Sequence, residues 1–413
     1  MIFHTIYDLS DNNIYNLQTE LKNINVSEEV IDYMADKFRF KRYYIKNLDF
    51  RAANILKQES LSCGSDAAIS YKTYTMNPEK TDVLLCASIV QLKKISDKLL
   101  KQPFKLRELG KDLKYLIETK DFNPIKIGKL EIRPENRCYI MGIINVTPDS
   151  FYSGSRYCDS GVNLKELEKA VLKMIENKVD IIDIGGESTR PSSDPVPLEE
   201  EIKRVIPAIE LIRKLTDIPI SIDTYKAKVA ELAIEKGADL INDISALLMD
   251  ENMVDVVKES GKPVVLMHMK GTPKNMQQNP NYENLIDEVY QFFKSRIEFC
   301  IEKGINEDNI IIDPGIGFGK RYKDNLVLTK YLGAFKTLKK PILYAASRKS
   351  FIGKALSETD EPVLPEERLF GSLAAHLIAS NTAAIIRVHD FKETIDMEIL
   401  RRKINEVDRF EHN

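Results

Sequence analysis

The chain is first bounded by what it lacks. No run of about 18 apolar residues occurs in its 413 residues, so no membrane-spanning helix is expected. The opening residues carry acids early, at Asp8 and Asp11, without a basic stretch or a small-residue cleavage site. No secretory signal is therefore read there. The five cysteines (Cys63, Cys86, Cys138, Cys158, Cys300) form an odd set with no Cys-x-x-Cys pair. That argues against a disulfide framework or a zinc site and for a reducing cytoplasm. Charge of one sign is missing as well: 60 basic and 63 acidic side chains leave a net of −3. Nucleic acid gains no support as a partner. What is present, 43% hydrophobic and 30% charged residues, describes a soluble globular protein and excludes disorder.

The length exceeds one ordinary domain, and the charge shows where it divides. Residues 1–130 hold 21 basic and 17 acidic side chains, a net of +4 that leaves −7 for residues 131–413. Turn-forming residues at Asp121-Phe122-Asn123-Pro124 and Arg133-Pro134-Glu135-Asn136 interrupt the pattern at the same place. The expected boundary is near residue 130. Before it, strands over 43–50, 67–74 and 82–88 and helices over 93–100 and 107–117 suggest a small α/β domain. The basic stretch 91–120 reads as a solvated helix face.

After the boundary, apolar runs of strand length recur at Cys138–Asn145, Asp180–Ile184, Ile218–Ile222, Leu240–Ile244, Pro263–Met267, Ile310–Asp313, Ile342–Ala346 and Ala383–Val388. Runs this continuous suit parallel strands buried on both faces. Helical patterns separate them, one opening at Asn163 and another running from Lys226 to a stop at Gly237; Pro207 inside 200–215 implies a kink. Eight strands with intervening helices predict a (β/α)8 TIM barrel over residues 131–413, preceded by a small α/β N-terminal domain of unknown function over residues 1–130. An open doubly wound sheet is disfavoured, because no Gly-x-Gly-x-x-Gly turn follows the first strand.

A barrel of this kind gathers reacting groups at the C-terminal ends of its strands. There the sequence places Asn145, Asp183, Asp223, Asn242, Met267 with His268, Asp313, Lys349 with Ser350, and Arg387 with His389. Any one of these could cap a helix or satisfy backbone. Polar groups at all eight ends of otherwise apolar strands point instead to a polar ligand, since buried carboxylates and amides cost several kcal/mol when unpaired. Asp223, Asn242 and Asp313 suit the amino and amide edges of a flat heterocycle. Arg190, Arg387 and His389 suit an anion such as phosphate, and Lys349 with Ser350 a second one. His268 and His376 read as packed residues. No Gly-x-Ser-x-Gly elbow or Cys–His pair stands in these loops, so positioning and charge stabilisation are expected over covalent catalysis.

Met141-Gly-Ile-Ile-Asn145-Val-Thr-Pro-Asp-Ser-Phe151, Asp183-Ile-Gly-Gly-Glu-Ser-Thr-Arg-Pro191, Asp313-Pro-Gly-Ile-Gly-Phe-Gly-Lys320, Ser347-Arg-Lys-Ser350 and Arg387-Val-His-Asp390 follow one another in this order. The set resembles the signature of the dihydropteroate synthase family and covers residue 137 to the C-terminus. The resemblance implies condensation of 6-hydroxymethyl-7,8-dihydropterin diphosphate with 4-aminobenzoate, giving 7,8-dihydropteroate and pyrophosphate in folate synthesis. It implies that Asp223, Asn242, Asp313 and Lys349 meet the pterin, with Met267 also binding substrate and with Asp223, Asp313 and Lys349 as the catalytic group. Thr189, Arg190, Arg387 and His389 would face the diphosphate, and Phe318 and Ser350 the aminobenzoate. Asn145 would bind the one expected cofactor, Mg2+, together with the diphosphate. The loops with Thr147–Phe151 and Thr189–Pro191 would close over the site.

The resemblance has two departures. After Phe151 the chain reads Tyr-Ser-Gly-Ser-Arg156, where the family usually has Ser-Asp-Gly-Gly, so an acid is missing beside the implied metal. Residues 1–130 are not covered at all. A methyltetrahydrofolate-binding methyltransferase would share the pterin-directed Asp and Asn residues but needs neither a diphosphate group nor the Ser-Arg-Lys-Ser loop. A catalytically silent pterin-binding module is disfavoured by intact Asn145, Asp223, Lys349 and His389. The family resemblance also implies a homodimer through its last helices, where Phe370–Ile378 carries an apolar stripe that core packing would explain equally well.

Overall fold

The computed structural model describes residues 14–75, 80–134, 137–146, 163–188, 195–359 and 361–407. Two compact units emerge, one holding residues up to Lys120 and from Arg402 onward, the other running Asp121–Arg401.

The first unit contains helices α1 (Ile14–Asn23) and α2 (Ile31–Phe38), strand β1 (Phe40–Asp49), α3 (Phe50–Ser62), β2 (Asp66–Ile69), β3 (Lys80–Ser88), α4 (Ile89–Leu99) and α5 (Leu106–Glu118). Strand β3 is central and antiparallel to both neighbours. Its alternation turns Val83, Leu85 and Ala87 into a core with Ala53, Leu56, Leu92 and Ile95 from the helices. Asp49 stops β1 by capping α3, its carboxylate accepting from the Arg51 N–H at 2.8 Å. Each expected strand and helix is present with shifted ends. The largest change is the second strand, which ends at Ile69 because Tyr71–Thr75 turn into a 3-10 helix.

The second unit opens with a hairpin of β4 (Ile125–Ile127) and β5 (Leu130–Ile132), joined by a two-residue turn whose Gly128 has φ +57. Then follow β6 (Tyr139–Asn145), α6 (Leu164–Glu176), β7 (Ile181–Gly185), α7 (Leu198–Leu215), β8 (Ile220–Asp223), α8 (Ala227–Glu235), β9 (Leu240–Asp243) and α9 (Met253–Ser260). The second half is β10 (Val264–Met267), α10 (Leu285–Glu302), β11 (Ile310–Asp313), α11 (Tyr322–Lys330), β12 (Leu343–Tyr344), α12 (Ser350–Leu356), α13 (Leu369–Ala379), β13 (Ile385–Val388) and α14 (Phe391–Glu406). Strands β6 to β13 form one parallel sheet, and an Ile312–Ile342 bridge joins its two ends. This is the expected eight-stranded barrel, and α7 runs through Pro207.

Alternation splits the barrel strands into two sets. Outward residues such as Ile140, Ile182, Ile222, Ile241, Leu266 and Ile312 join the helices in the main core. Inward residues Tyr139, Met141, Ile181, Leu240, Val265, Ile311, Leu343 and Ile385 form a separate apolar layer. That layer packs with Phe122, Ile125, Ile127 and Ile132 of the hairpin segment, which plug the lower end. The hairpin explains why the second unit starts at Asp121, ahead of the boundary expected near residue 130.

Candidate active site

The same alternation places the polar groups. Two residues beyond Ile181 stands Asp183, two beyond Leu240 stands Asn242, two beyond Val265 stands Met267, two beyond Ile311 stands Asp313, and two beyond Ile385 stands Arg387. Asn145 and Asp223 end β6 and β8 on the same inward side, paired in register with Gly185. A side chain at position 185 would come within 3.7 Å of both Asn145 Oδ1 and Asp223 Oδ2. The mouth of the barrel therefore collects Asn145, Asp183, Asp223, Asn242, Met267, Asp313 and Arg387, all but Asn145 and Arg387 buried.

Arg387 organises the floor of this mouth. Its Nε donates to Asp183 at 2.6 Å and its Nη2 to Asp223 at 2.6 Å. The Asn242 amide donates to the other oxygen of Asp183 at 3.3 Å. Burial pushes the Asp223 carboxyl up to about 7, with Arg387 opposing and Asp183 adding to the shift. Burial works against the Arg387 cation, but Asp183 and Asp223 more than offset it and its pKa rises. Below them the Ser221 hydroxyl is fully buried without a hydrogen-bond partner among the described residues.

Asp313 and Lys349 make the opposite wall. Burial raises the Asp313 pKa against the pull of Lys349, and Asp313 accepts the Gly315 N–H at 2.7 Å. Burial lowers Lys349 to about 8, with Asp313 holding it up. The ammonium donates to the Ile316 carbonyl and lies 4.6 Å from the Phe318 ring centroid. The loop carrying Phe318 needs its glycines. Gly315 and Gly319 have φ of +66 and +63, and a Cβ at either would meet the carbonyl oxygen of His268 at 2.0 Å or of Lys270 at 2.4 Å. Lys320 staples this loop from beneath, its ammonium meeting His268 Nδ1 at 2.9 Å, the His268 carbonyl at 2.9 Å and the Phe318 carbonyl at 3.0 Å. Burial drives Lys320 well down and His268 to about 2. Both histidines set aside on sequence are packed: His268 edges onto Phe292 and His376 onto Tyr344.

The rim follows from the last loops. Arg348, at φ +56, forks onto Asp390 at 2.8 and 2.6 Å, and Arg368 donates to its carbonyl at 2.9 Å. These contacts set Lys349 as the residue capping α12 and leave Ser350 exposed at its first turn. His389 is exposed beside Ser347, whose hydroxyl accepts its backbone N–H at 3.1 Å. Thr189 and Arg190 lie outside the described residues, as does the stretch from Thr147 through Arg156. At the base of the second loop, Glu187 accepts the Val196 N–H at 3.2 Å and the Tyr225 hydroxyl at 3.0 Å. It also pairs with Lys226, which is shared with buried Glu201.

Sequence reasoning put Asp183 at a strand end without giving it a role, and it missed Lys320 and the Glu187–Lys226–Glu201 group as parts of the site. Parity was the available signal for Asp183, since it shares the inward face of β7 with Gly185. Among the described residues no cluster of three His, Cys, Asp or Glu could hold a metal.

Residues 141–389 match the model of the pterin binding enzyme family. The dihydropteroate synthase of Clostridium beijerinckii is 45% identical over 272 residues, covering 65% of this chain and 95% of that protein. The bifunctional dihydropteroate synthase/dihydropteroate reductase of Helicobacter pylori is 36% identical over 396 residues, 95% of this chain and 97% of that one. Among solved structures, Xanthomonas albilineans dihydropteroate synthase with 4-aminobenzoic acid superposes with a TM-score of 0.61 at 39% identity, covering 67% of this chain and 96% of that one. The Yersinia pestis dihydropteroate synthase in a sulfonamide drug complex gives 0.61 at 38%, covering 68% and 98%.

Proposed function

The chain belongs to the dihydropteroate synthase family of pterin-binding enzymes, and from that premise we propose how its barrel mouth works. The reaction joins 6-hydroxymethyl-7,8-dihydropterin diphosphate to 4-aminobenzoate and releases pyrophosphate, giving 7,8-dihydropteroate for folate biosynthesis. The pterin rests on the floor against Asp223, Asn242, Asp313 and Lys349, with Met267 packed beside it. Phe318 and Ser350 hold the aminobenzoate. Thr189, Arg190 and His389 face the diphosphate, together with what Arg387 can offer beyond its bonds to Asp183 and Asp223.

The observation that carries this reading is the placing of two buried acids, Asp223 and Asp313, beside two half-buried cations, Arg387 and Lys349. Such a floor can meet both the donor and acceptor edges of a heterocycle and still stabilise positive charge. The C–O bond to the diphosphate breaks, and its electron pair leaves on pyrophosphate. The cation left on the pterin methylene is held by Asp223 and Asp313. The lone pair of the aromatic amine then forms the C–N bond, and the surplus proton passes to pyrophosphate or water. Mg2+ would need oxygen donors, which the amide of Asn145 offers at the barrel mouth. Asn145, half-buried at the end of β6, is the protein ligand proposed here. When bound, the ion neutralises charge on the leaving group. A methyltransferase reading is set aside, since the matched relatives are synthases.

The test is pyrophosphate release that requires both substrates, depends on Mg2+ and is competed by a sulfonamide. Release without aminobenzoate would sink the reading.

A second activity is proposed from the reach of one relative. The Helicobacter pylori protein, named also as a dihydropteroate reductase, aligns over 95% of this chain, whereas the Clostridium beijerinckii enzyme aligns over 65%. The first unit would then serve reduction of the dihydropteroate that the barrel makes. Full-length protein given 7,8-dihydropteroate with NADPH or reduced flavin should consume the donor; no consumption of either contradicts it. A cytoplasmic homodimer completes the proposal. No described helix is long and apolar enough to cross a membrane, and the described cysteines are unpaired. On α13, Phe370, Leu377 and Ile378 are 81, 44 and 56% exposed, so that stripe is not core and suits a second copy.

A further inference from the structure

Asp183 reaches no rim and has no solvent-exposed surface, yet it bonds to Asn242, which faces the proposed pterin, and to Arg387, which organises the floor. One of its oxygens takes the Arg387 Nε–H at 2.6 Å, and the other takes the Asn242 amide N–H at 3.3 Å. A carboxylate paired with a guanidinium can only accept. It therefore decides which way the Asn242 amide turns: the nitrogen must face Asp183, and the carbonyl oxygen is the end left for a ligand. The same carboxylate fixes the Arg387 plane, whose Nη2 then meets Asp223 at 2.6 Å. The neighbours agree with this arrangement. Asp183 is in register with Ser221, and Asp223 with Asn242, so the network spans two successive inward positions of neighbouring strands.

We propose that Asp183 is a positioning residue that sets the hydrogen-bond polarity of the floor, presenting Asn242 as an acceptor and so selecting a ligand with a donor edge there. The proposal rests on the assignment of the pterin to this floor. In Asp183→Asn, the new amide keeps the shape and can still accept from Arg387 through its oxygen. Its NH2 then faces Asn242, which must turn its own carbonyl inward and show its NH2 to the ligand. Acceptor becomes donor with little change in packing. Restoring a carboxylate at the second position, as Asp183→Asn with Asn242→Asp, returns an acceptor to the ligand side.

The experiment measures KM for both substrates, kcat and Tm in full-length protein for Asp183→Asn, for that double variant and for Asp223→Asn. Asp183→Asn should raise KM for the pterin diphosphate by roughly tenfold or more, with KM for aminobenzoate moving less than threefold and Tm nearly unchanged. The double variant should recover most of the lost pterin KM. An Asp183→Asn KM within twofold of wild type overturns the proposal, and so does a raised KM that the double variant leaves unimproved. A fall in Tm and kcat at constant KM would mark a merely structural role and also overturns it. If Asp223→Asn is silent as well, the floor does not bind the pterin, and the underlying assignment fails rather than this refinement alone.

Discussion

The two ends of the barrel are built from the same eight strands and could hardly differ more. At the lower end the inward residues are Tyr139, Met141, Ile181, Leu240, Val265, Ile311, Leu343 and Ile385, sealed by an apolar hairpin. One inward step up, Ile181 gives way to Asp183, Leu240 to Asn242, Ile311 to Asp313 and Ile385 to Arg387. The lower layer gains stability from dry burial. The upper layer takes charges out of water and recovers only part of the loss through the Arg387 fork. A single two-residue step thus separates stability from chemistry, and the mouth is where stability has been given up for function.

The largest expected effect breaks the lower end. Ile311→Ala removes a fully buried side chain between strands and hairpin. It should destabilise the protein by about 2–5 kcal/mol, seen as a lower denaturation midpoint, while the KM values of the folded enzyme hold. The upper end should respond in the opposite way. Asp223→Asn should cut kcat/KM by about 100-fold with no loss of Tm, because it deletes a carboxylate whose ionisation burial opposes.

A pH series sharpens the contrast. With Asp223 raised to about 7 and Lys349 lowered to about 8, kcat/KM should rise through the first value and fall beyond the second. Stability should run the other way on the acid limb. The folded state binds the Asp223 proton more tightly than the unfolded chain does, so that contribution is present at low pH and is lost as pH rises through about 7. Asp223→Asn should remove the acid limb of activity and flatten this part of the stability profile together. A flat activity profile in wild type between pH 6 and 9 (a range spanning both pKa values by about one unit) would contradict the assignment. The smallest effect belongs to the hairpin surface. Lys129 and Asp217 form an ion pair in which both are highly exposed, so Lys129→Ala should change stability by less than about 0.5 kcal/mol in a denaturant titration.

The barrel was legible because parallel strands buried on both faces leave long apolar runs, and because polar residues stand at or beside the ends of those runs. All eight runs correspond to β6 through β13. The glycine-rich sixth loop was legible for a similar reason, since Gly315 and Gly319 stand where carbonyl oxygens leave no room for a Cβ. Pairing was not legible. Asp183 meets Arg387 across 204 positions and Asn242 across 59, and nothing local in the chain links them. The hairpin was missed because strands of three residues are too short to show periodicity, and its turn residues read as a break. In the first unit, β1 was found, but α3 was not: its apolar face is made largely of small residues, Ala52 and Ala53 beside Leu56, with little contrast to the polar side.

The separation of the two ends is tested most directly by the shift in melting temperature on adding saturating 7,8-dihydropteroate, measured in wild type, Ile311→Ala and Asp223→Asn. A ligand that binds only the folded mouth raises Tm by an amount that grows with the logarithm of its concentration over Kd. Wild type and Ile311→Ala should show the same upward shift from different starting temperatures, and Asp223→Asn should lose the shift while melting no earlier than wild type alone. A shift abolished by Ile311→Ala, or one preserved in Asp223→Asn, would contradict the account.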